Sequence, residues 1–162
     1  MRTKTMIILL VFVLAALNYN IYEKEQIKEH GETLLLELVL VPINPRLPMQ
    51  ENNMRTHYVI ERNAPTKESD PDHNYGYMVI RPDKNNVAQF IRFYKEGDLA
   101  EGEKLIRFYK RYGVFLEIMP RPTSFQDSLT QPKYAVFKFG HSGKYMFIGL
   151  ADDNRNIISP LL

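Results

Sequence analysis

The first thirty residues constrain the fold of this chain more than any other feature. A basic leader with Arg2 and Lys4 precedes an uninterrupted apolar run over residues 6–17. As a helix this run is about 18 Å long, against about 30 Å for the hydrocarbon core of a bilayer. Such a length is typical of the hydrophobic region of a signal peptide. Residues 18–22 add two tyrosines and an isoleucine, so roughly 17 residues could cross a membrane with the tyrosines at its interface.

The helix is expected to continue past the membrane. Residues 22–30 are rich in Glu, Lys and Gln, and Gly31 follows Lys28 and His30 as a helix C-terminal signal. We therefore predict one helix of about 25 residues, apolar in its first half and charged in its second. Residues 1–30 would form the membrane anchor and juxtamembrane helix, with residues 6–22 in contact with lipid.

This N-terminus has two interpretations. The helix is an uncleaved anchor, or a signal peptide is cleaved after Ala15, with Val13 and Ala15 as the small residues of the cleavage site. In both cases the basic leader and the acidic Glu23 on the far side predict a cytoplasmic N-terminus and an extracytoplasmic C-terminal domain. The prediction is a single-pass membrane protein, and a secreted protein is the alternative.

The charge balance argues against a nucleic-acid partner. Because Arg2 and Lys4 are the only charged residues before Glu23, residues 23–162 carry 19 basic and 19 acidic side chains. Nucleic-acid-binding domains normally carry a basic excess. The chain also has no cysteine, which excludes disulfides, thiol chemistry and zinc sites built on thiolates.

Beyond Gly31 the pattern becomes strand-like, with short apolar runs separated by Gly, Pro, Asn and Asp clusters. We predict a mainly β protein, in which the N-terminal helix is followed by one extracytoplasmic antiparallel β-sandwich or barrel-like domain with a short helix, over residues 31–162. The predicted strands are 33–41, 54–62, 77–81, 87–94, 105–112, 114–119, 134–139 and 144–151.

Three details of this domain are predicted from local patterns. The strand 33–41 has leucines and valines on both faces, so it should be central in its sheet. The residues 141–143 lie between two alternating runs and indicate a tight hairpin. A proline-flanked segment, 120–132, is expected to hold the short helix, with Ser124 and Asp127 at capping-box spacing.

One pentapeptide, Ile-Arg-Phe-Tyr-Lys, occurs twice, at 91–95 and at 106–110. Basic residues that alternate with aromatic ones can stack on and neutralise nucleic acid. Because the domain is neutral and predicted to face outward, we interpret the repeat as two amphipathic strands. Phe93 and Phe108 would point inward, and the acidic segment 96–103 would join the two strands.

The candidate catalytic and metal-binding patterns are incomplete. Asp70 begins a sequence like a calcium loop, but Tyr75 stands at its glycine position. A second such sequence begins at Asp152 and has Ile157 at that position, so both are interpreted as Asp and Asn turns. The Gly-His-Ser-Gly segment 140–143 misses the nucleophile elbow by one residue. We therefore predict no catalytic, metal or cofactor-binding residues and no enzyme.

Segments along the whole chain follow a recognisable order. The anchor ends in Asn-x-x-Ile at 18–21, followed by Gly-Glu-Thr-Leu-Leu-Leu-Glu-Leu from Gly31, Pro-Ile-Asn-Pro-Arg at 42–46, and Met49-Gln50. Three later segments fit in order and spacing: Gly-Glu-Lys-Leu-Ile-Arg-Phe-Tyr at 102–109, Lys-Tyr-Ala-Val-Phe-Lys-Phe at 133–139 and Gly-Leu-Ala-Asp-Asp at 149–153. Together these segments resemble the GDYXXLXY family.

The motif that names this family, Gly-Asp-Tyr-x-x-Leu-x-Tyr, is altered here. Asn44 replaces the acidic residue of the family's Pro-x-Asp-Pro-Arg element, and an amide cannot supply that charge. The chain therefore resembles a divergent member of the GDYXXLXY family. In the register of the motif Tyr58 alone is retained, and four positions differ: Glu51, Asn52, Asn53 and Thr56.

The resemblance implies a membrane-anchored, exported domain of no established biochemical activity, with a multi-spanning membrane protein as the expected partner. We predict a binding module for another envelope or membrane protein. The alternatives are a membrane-surface hydrolase or peptidase-like enzyme, and a small lipid- or glycan-binding domain. The segment after the first strand offers a mixed apolar and hydrogen-bonding surface. Its predicted partner-binding residues are Pro42, Asn44, Pro45, Arg46, Met49, Gln50, Met54 and Tyr58.

Overall fold

The computed structural model describes residues 2–42, 54–65, 74–111, 115–119, 132–140 and 143–160. Within these ranges an apolar N-terminal helix precedes two antiparallel sheets and a short second helix, which confirms the predicted fold class. In chain order the elements are α1 Arg2–His30, β1 Glu32–Pro42, β2 Met54–Tyr58, α2 Val59–Asn63, β3 Tyr75–Pro82, β4 Ala88–Phe93, β5 Lys104–Arg111, β6 Phe115–Ile118, β7 Tyr134–Phe139, β8 Tyr145–Ala151 and β9 Ile157–Pro160.

Helix α1 runs unbroken through the apolar run and the charged segment, as predicted. The side-chain amides of Asn18 and Asn20 donate to the carbonyl groups of Leu14 and Ala16, at 2.9 and 3.0 Å. These polar side chains are thus satisfied within the helix, as an apolar surrounding requires. The helix ends at Gly31, whose N–H donates to the carbonyl of Ile27 at 2.9 Å.

Gly31 is the one residue between α1 and β1. A Cβ atom at this position would lie 2.3 Å from the carbonyl oxygen of Ile27 and 3.2 Å from the Cβ atom of Lys138. Only a residue without a side chain fits there, because the chain turns from helix into strand against β7. The helix and the sheet are therefore joined without a linker.

The five-stranded sheet has the order β2-β1-β7-β8-β9. Strand β1 is central, as predicted, because it pairs with β7 through its first half and with β2 through its second. Strand β2 pairs only with residues 38–42 of β1, so the first half of β1 has an unpaired edge on that side. The connection between β3 and β4 covers part of this edge. There the N–H of Leu35 donates to the carbonyl of Asn86 at 2.9 Å.

The β7–β8 hairpin follows the prediction, although residues 141 and 142 lie outside the described part of the chain. The two strands pair antiparallel, and the N–H of Gly140 donates to the carbonyl of Lys144 at 2.8 Å. Gly143 has φ +76°, a left-handed conformation that favours glycine in a tight turn.

The four-stranded sheet has the order β4-β3-β5-β6. The first copy of the repeated pentapeptide begins in β4 and ends two residues beyond it, and the second lies within β5, so the copies flank β3 on either side. Phe93 and Phe108 point inward, as predicted, and their rings pack edge to face with centroids 5.4 Å apart. Gly76 of β3 lies opposite Phe108, and a Cβ atom there would be 2.8 Å from the Phe108 ring. This glycine makes room for the ring.

The two sheets bury their inner faces against each other. Alternate residues of the strands form one apolar cluster, as expected for a strand with one face on the core. Phe137 lies at its centre, with ring centroids 6.0 Å from Tyr58, 5.9 Å from Tyr145 and 5.4 Å from Phe147. The buried residues from the strands of this cluster are Leu34, Leu36, Tyr58, Met78, Ile80, Ala88, Ile106, Phe108, Leu116, Ile118, Ala135, Phe137 and Phe139.

A tyrosine from one sheet closes the edge of the other. Strand β6 pairs only with the second half of β5, so the first half of β5 has an open edge. There the hydroxyl of Tyr145 in β8 accepts the backbone N–H of Arg107 at 3.2 Å. Burial raises the pKa of the Tyr145 hydroxyl above its usual value, so this group stays protonated at neutral pH.

The predicted strand 54–62 is wrong in its second half, because the strand ends at Tyr58 and helix α2 follows. The third residue of that helix, Glu61, accepts the N–H of Tyr58 at 3.2 Å, and this bond stabilises the helix start. Strand β9 was not predicted, since it is short and ends in a proline. The helix predicted in 120–132 falls largely on residues 120–131, outside the described part, and stays a prediction.

Alanine at position 137 is expected to destabilise the domain strongly. Phe137 is fully buried among aromatic rings, and replacing it leaves a cavity. Phe137→Ala should lower the free energy of unfolding by about 3–5 kcal/mol, measured by chemical denaturation. The exposed Leu99 provides the control, since Leu99→Ala should change stability by about 0.5 kcal/mol or less. Equal effects of the two substitutions would contradict this description of the core.

Candidate interaction surface

The predicted partner-binding segment connects β1 and β2. Pro42 is the last residue of β1 and Met54 is the first of β2. Pro42 and Met54, which flank the segment, lie at the end of the sheet where β1 finishes, ten residues from Glu32, or about 33 Å along the strand. The other predicted residues between them, Asn44, Pro45, Arg46, Met49 and Gln50, lie outside the described residues, and their role stays a prediction.

Tyr58 does not offer a surface to a partner in this structure. Its side chain is 0% exposed and packs edge on against Phe137. Tyr58 lies opposite Leu38 in the β1–β2 pair and faces the core. Alternation along β2 turns Tyr58 inward, so its side chain is not on the surface of the isolated chain, and its role in partner binding stays a prediction.

A buried carboxylate connects α2 to the four-stranded sheet. Glu61 accepts the backbone N–H of Tyr58 through Oε2, at 3.2 Å, and that of Ile118 through Oε1, at 2.5 Å. The Nδ1 atom of His57 lies 3.0 Å from Oε2. Two backbone amides from separate parts of the fold thus share one acceptor group. This arrangement is structural, since a carboxylate that satisfies buried N–H groups holds two elements together.

The Glu61→Gln variant should be less stable than the wild type by about 1–3 kcal/mol. A glutamine amide keeps one oxygen acceptor but places an NH₂ donor against the second backbone N–H, which is then left unsatisfied. Thermal or chemical denaturation measures the difference. Glu96→Gln, at an exposed position, is the matched control and should leave stability nearly unchanged. An unchanged Glu61→Gln variant would show that the carboxylate is dispensable.

The outer face of the four-stranded sheet carries a compact group of tyrosines around one arginine. Tyr75 and Tyr77 of β3 lie directly opposite Tyr109 and Arg107 of β5. The three tyrosines are 51%, 42% and 38% exposed for Tyr75, Tyr77 and Tyr109. We call these four residues the tyrosine–arginine patch. Tyrosine and arginine are the side chains enriched in the energetic centres of protein interfaces.

Arg107 is held between two of these rings. Its guanidinium carbon lies 4.9 Å from the ring centroids of both Tyr75 and Tyr109. Such cation–π contacts orient the guanidinium group. Within the described residues no carboxylate pairs with Arg107, and its Nε atom is buried without a hydrogen-bond partner. The exposed rings and a fixed positive charge suit a partner surface that combines apolar groups with a carboxylate.

Beside the patch, Glu103 binds two arginines of the same sheet. Its carboxylate lies 3.1 Å from Arg81 and 2.9 Å from Arg92, and it accepts the N–H of Ala100 at 3.1 Å. The bond from Ala100 and the two positive charges hold the pKa of Glu103 below its usual value. Glu103 lies in the segment 96–103 that the sequence indicated as an acidic connection, and it ties that connection to β3 and β4.

The contribution of Glu103 to stability should depend on pH. A carboxyl group with a lowered pKa in the folded state stabilises the fold above its unfolded pKa, about 4.3. That contribution is lost as the pH falls through the folded value. We expect Glu103→Gln to be less stable than the wild type at pH 7. The difference in free energy of unfolding between the two proteins, called the gap below, should narrow below about pH 4. Denaturation curves across this range measure the gap, and a gap independent of pH would contradict the assignment.

Among the described residues no group of three or more His, Asp or Glu side chains is arranged to hold a metal ion. The Asp152 segment forms a turn, as interpreted, in which its carboxylate accepts the N–H of Asn156 at 2.8 Å. Asp83 does the same for Asn85 and Val87, at 2.7 and 2.9 Å. The corresponding segment at Asp70 lies outside the described part of the chain.

The tyrosine–arginine patch was not predicted, although the signal for it is present in the sequence. The pentapeptide repeat was interpreted from its inward phenylalanines alone. In the copy within β5, the residues Arg107 and Tyr109 alternate with Phe108 and so point outward. The partner strand β3 carries Tyr75 and Tyr77 with the same alternation. Pairing these two strands in register would have predicted the patch.

Comparison with known proteins supports the resemblance noted in the sequence. No curated protein and no solved structure matches the chain. A family described as GDYXXLXY protein matches residues 13–150. The match begins at Val13 in α1 and ends at Leu150 in β8, so it includes most of the helix, the point where the helix joins the sheet, and the strands from β1 through β7 with nearly all of β8. This chain therefore belongs to the GDYXXLXY protein family.

Proposed function

We propose that this protein is a single-pass membrane protein whose β-sandwich lies outside the cytosol and binds another membrane or envelope protein. The observation that carries the proposal is the apolar surface of α1. Residues Thr5–His30 form a helix whose most apolar 18-residue window has a mean hydropathy of 2.0. The rest of the chain buries no residue of that window. Met6 and Phe12, for example, are 72% and 74% exposed.

A lipid bilayer is the surrounding that removes this surface from water. Large continuous apolar patches are not left exposed on soluble monomers. Residues 2–22 of the helix span about 30 Å, the thickness of the hydrocarbon core. The basic residues before the span and the acidic ones after it favour an extracytoplasmic domain.

The tyrosine–arginine patch supports the binding role. Two contacts locate the patch in the domain. Lys104, at the start of β5, forms an ion pair with Glu32 at the start of β1. Three residues further along β5, the backbone N–H of Arg107 donates to the hydroxyl of Tyr145, and Tyr145 lies opposite Phe139, which lies opposite Glu32. The patch therefore lies in the half of the domain beside the end of α1, where a neighbouring protein in the same membrane can reach it.

Site-specific photo-crosslinking in intact cells tests the binding role. A photoreactive amino acid at Tyr77, which is exposed and outside the Arg107 stack, should give a discrete crosslinked product. The same probe at Asn154, exposed in the turn before β9, should not. Arg107→Ala should weaken the Tyr77 product several-fold, because the stacked charge is lost. A product from a probe at Arg46 alone would assign binding to the connection 43–53, and identical patterns at Tyr77 and Asn154 would remove the patch from the proposal.

Membrane fractionation tests the anchor separately. The full-length chain should remain in the membrane pellet after an alkaline wash, since a spanning helix is held by its buried apolar area and not by charge. Mass spectrometry of the same sample decides between anchor and signal peptide. Recovery of a chain that begins at Ala16 in the soluble fraction would establish cleavage, and with it a secreted protein.

A further inference from the structure

The end of α1 and the β7–β8 hairpin form one continuous junction. Ile27 is 5% exposed, and a Cβ atom on the facing Gly140 would lie 2.7 Å from its Cγ1 atom. The ammonium group of Lys138 in β7 donates to the backbone carbonyl of Lys28. A helix whose last turns are packed and hydrogen-bonded in this way has a fixed position on the sheet.

One contact lies closer to the N-terminus of α1 than the others. Lys144, just after the hairpin turn, forms an ion pair with Glu23. Glu23 precedes Gly31 by eight residues, so this contact is about 12 Å back along the helix axis from the start of β1. The hairpin therefore extends beside α1 toward its apolar half.

The level of this contact relative to a membrane follows from the helix itself. With Arg2 at the inner boundary, about 30 Å of helix places Tyr22 at the outer boundary. Tyr19 and Tyr22 are then in the interfacial belt where tyrosines concentrate, and Glu23 is the next residue. Lys144 reaches the helix at that level through its ion pair with Glu23.

We infer that the β7–β8 hairpin rests in the headgroup layer of the phospholipid bilayer, so that the domain lies directly on the membrane in one orientation. This inference rests on the proposed anchoring by α1. The Lys144–Glu23 ion pair holds the hairpin at this depth. Its ammonium group lies where phosphate groups of the lipids can also contact it.

The surface at the junction has the composition that this layer requires. An open groove between the helix and the hairpin is lined mainly by apolar atoms and by a smaller share of polar atoms. Its helix residues form two adjacent rows with a spacing of four, which is the face that α1 turns to the hairpin. The headgroup and glycerol layer of a phospholipid bilayer also contains both apolar and polar groups, so it matches the lining of this groove. The two rows are Tyr19, Glu23 and Ile27, and Tyr22, Gln26 and His30.

Fluorescence quenching measures the depth of the hairpin. Because the chain has no cysteine, Met146→Cys and Asn154→Cys each introduce a single labelling site in the full-length protein. Met146 follows Lys144 closely, whereas Asn154 lies beyond the far end of β8. The labelled proteins are reconstituted into phosphatidylcholine vesicles that contain a lipid spin-labelled on its headgroup. We expect at least twofold stronger quenching at position 146 than at 154, and equal quenching would overturn the inference.

Two further measurements distinguish a failure of the proposed anchoring from a failure of the proposed hairpin position. Co-flotation with the vesicles is scored first, since protein that does not float contradicts the proposed anchoring and not the position of the hairpin. Glu23→Lys should reduce the quenching at position 146 by placing two positive charges together. Combining it with Lys144→Glu should restore the quenching, because the pair is re-formed with its charges exchanged. Failure of this restoration would show that the ion pair does not hold the hairpin in place.

Discussion

A single residue between α1 and β1 controls how the rest of the protein is placed. Gly31 ends the helix with a hydrogen bond to Ile27 and leads directly into β1, an interior strand of the five-stranded sheet. The space around it excludes a side chain, so the chain passes directly from helix to strand. With no flexible segment at this point, the direction of the helix also determines the direction of β1 and, through its pairing, of the whole sheet.

This direct connection matters for binding within a membrane. A domain on a flexible linker loses rotational freedom when it meets a partner, and that loss opposes association. In the proposed arrangement the anchor and the sandwich already share one orientation, and both partners are restricted to the same bilayer. The tyrosine–arginine patch would then face a constant direction and height, and a neighbouring membrane protein would meet it at a raised effective concentration.

Much of the fold could be predicted from local patterns. The apolar run and Gly31 predicted α1, and the two-sided apolar pattern of β1 predicted its central position, because both signals depend on residues adjacent in sequence. The break at Tyr58 could not be predicted in this way. It depends on Glu61 reaching Ile118, 57 residues away, and such a contact leaves no periodic signal in the segment 54–62. The inward position of Tyr58 follows instead from its register in the β1–β2 pair, which turns alternate residues of β2 toward the core.

The repeated pentapeptide illustrates how pairing determines the role of identical residues. In β5 the copy places Arg107 opposite Tyr77, where it stacks on tyrosines, whereas in β4 the copy places Arg92 opposite Val79, where it binds Glu103. The two arginines have the same neighbours in sequence and different neighbours in space. Only the strand register distinguishes them, and the register is set by the complete sheet.

The bond from the backbone of Arg107 to the hydroxyl of Tyr145 has a consequence for the dynamics of the domain. Most amide protons of a sheet are protected from exchange with solvent by the neighbouring strand, and they exchange when that strand frays. The Arg107 amide is instead protected by a side chain of the opposite sheet. Its exchange rate therefore reports how often the two layers of the sandwich separate, a motion that the amides paired within each layer do not register.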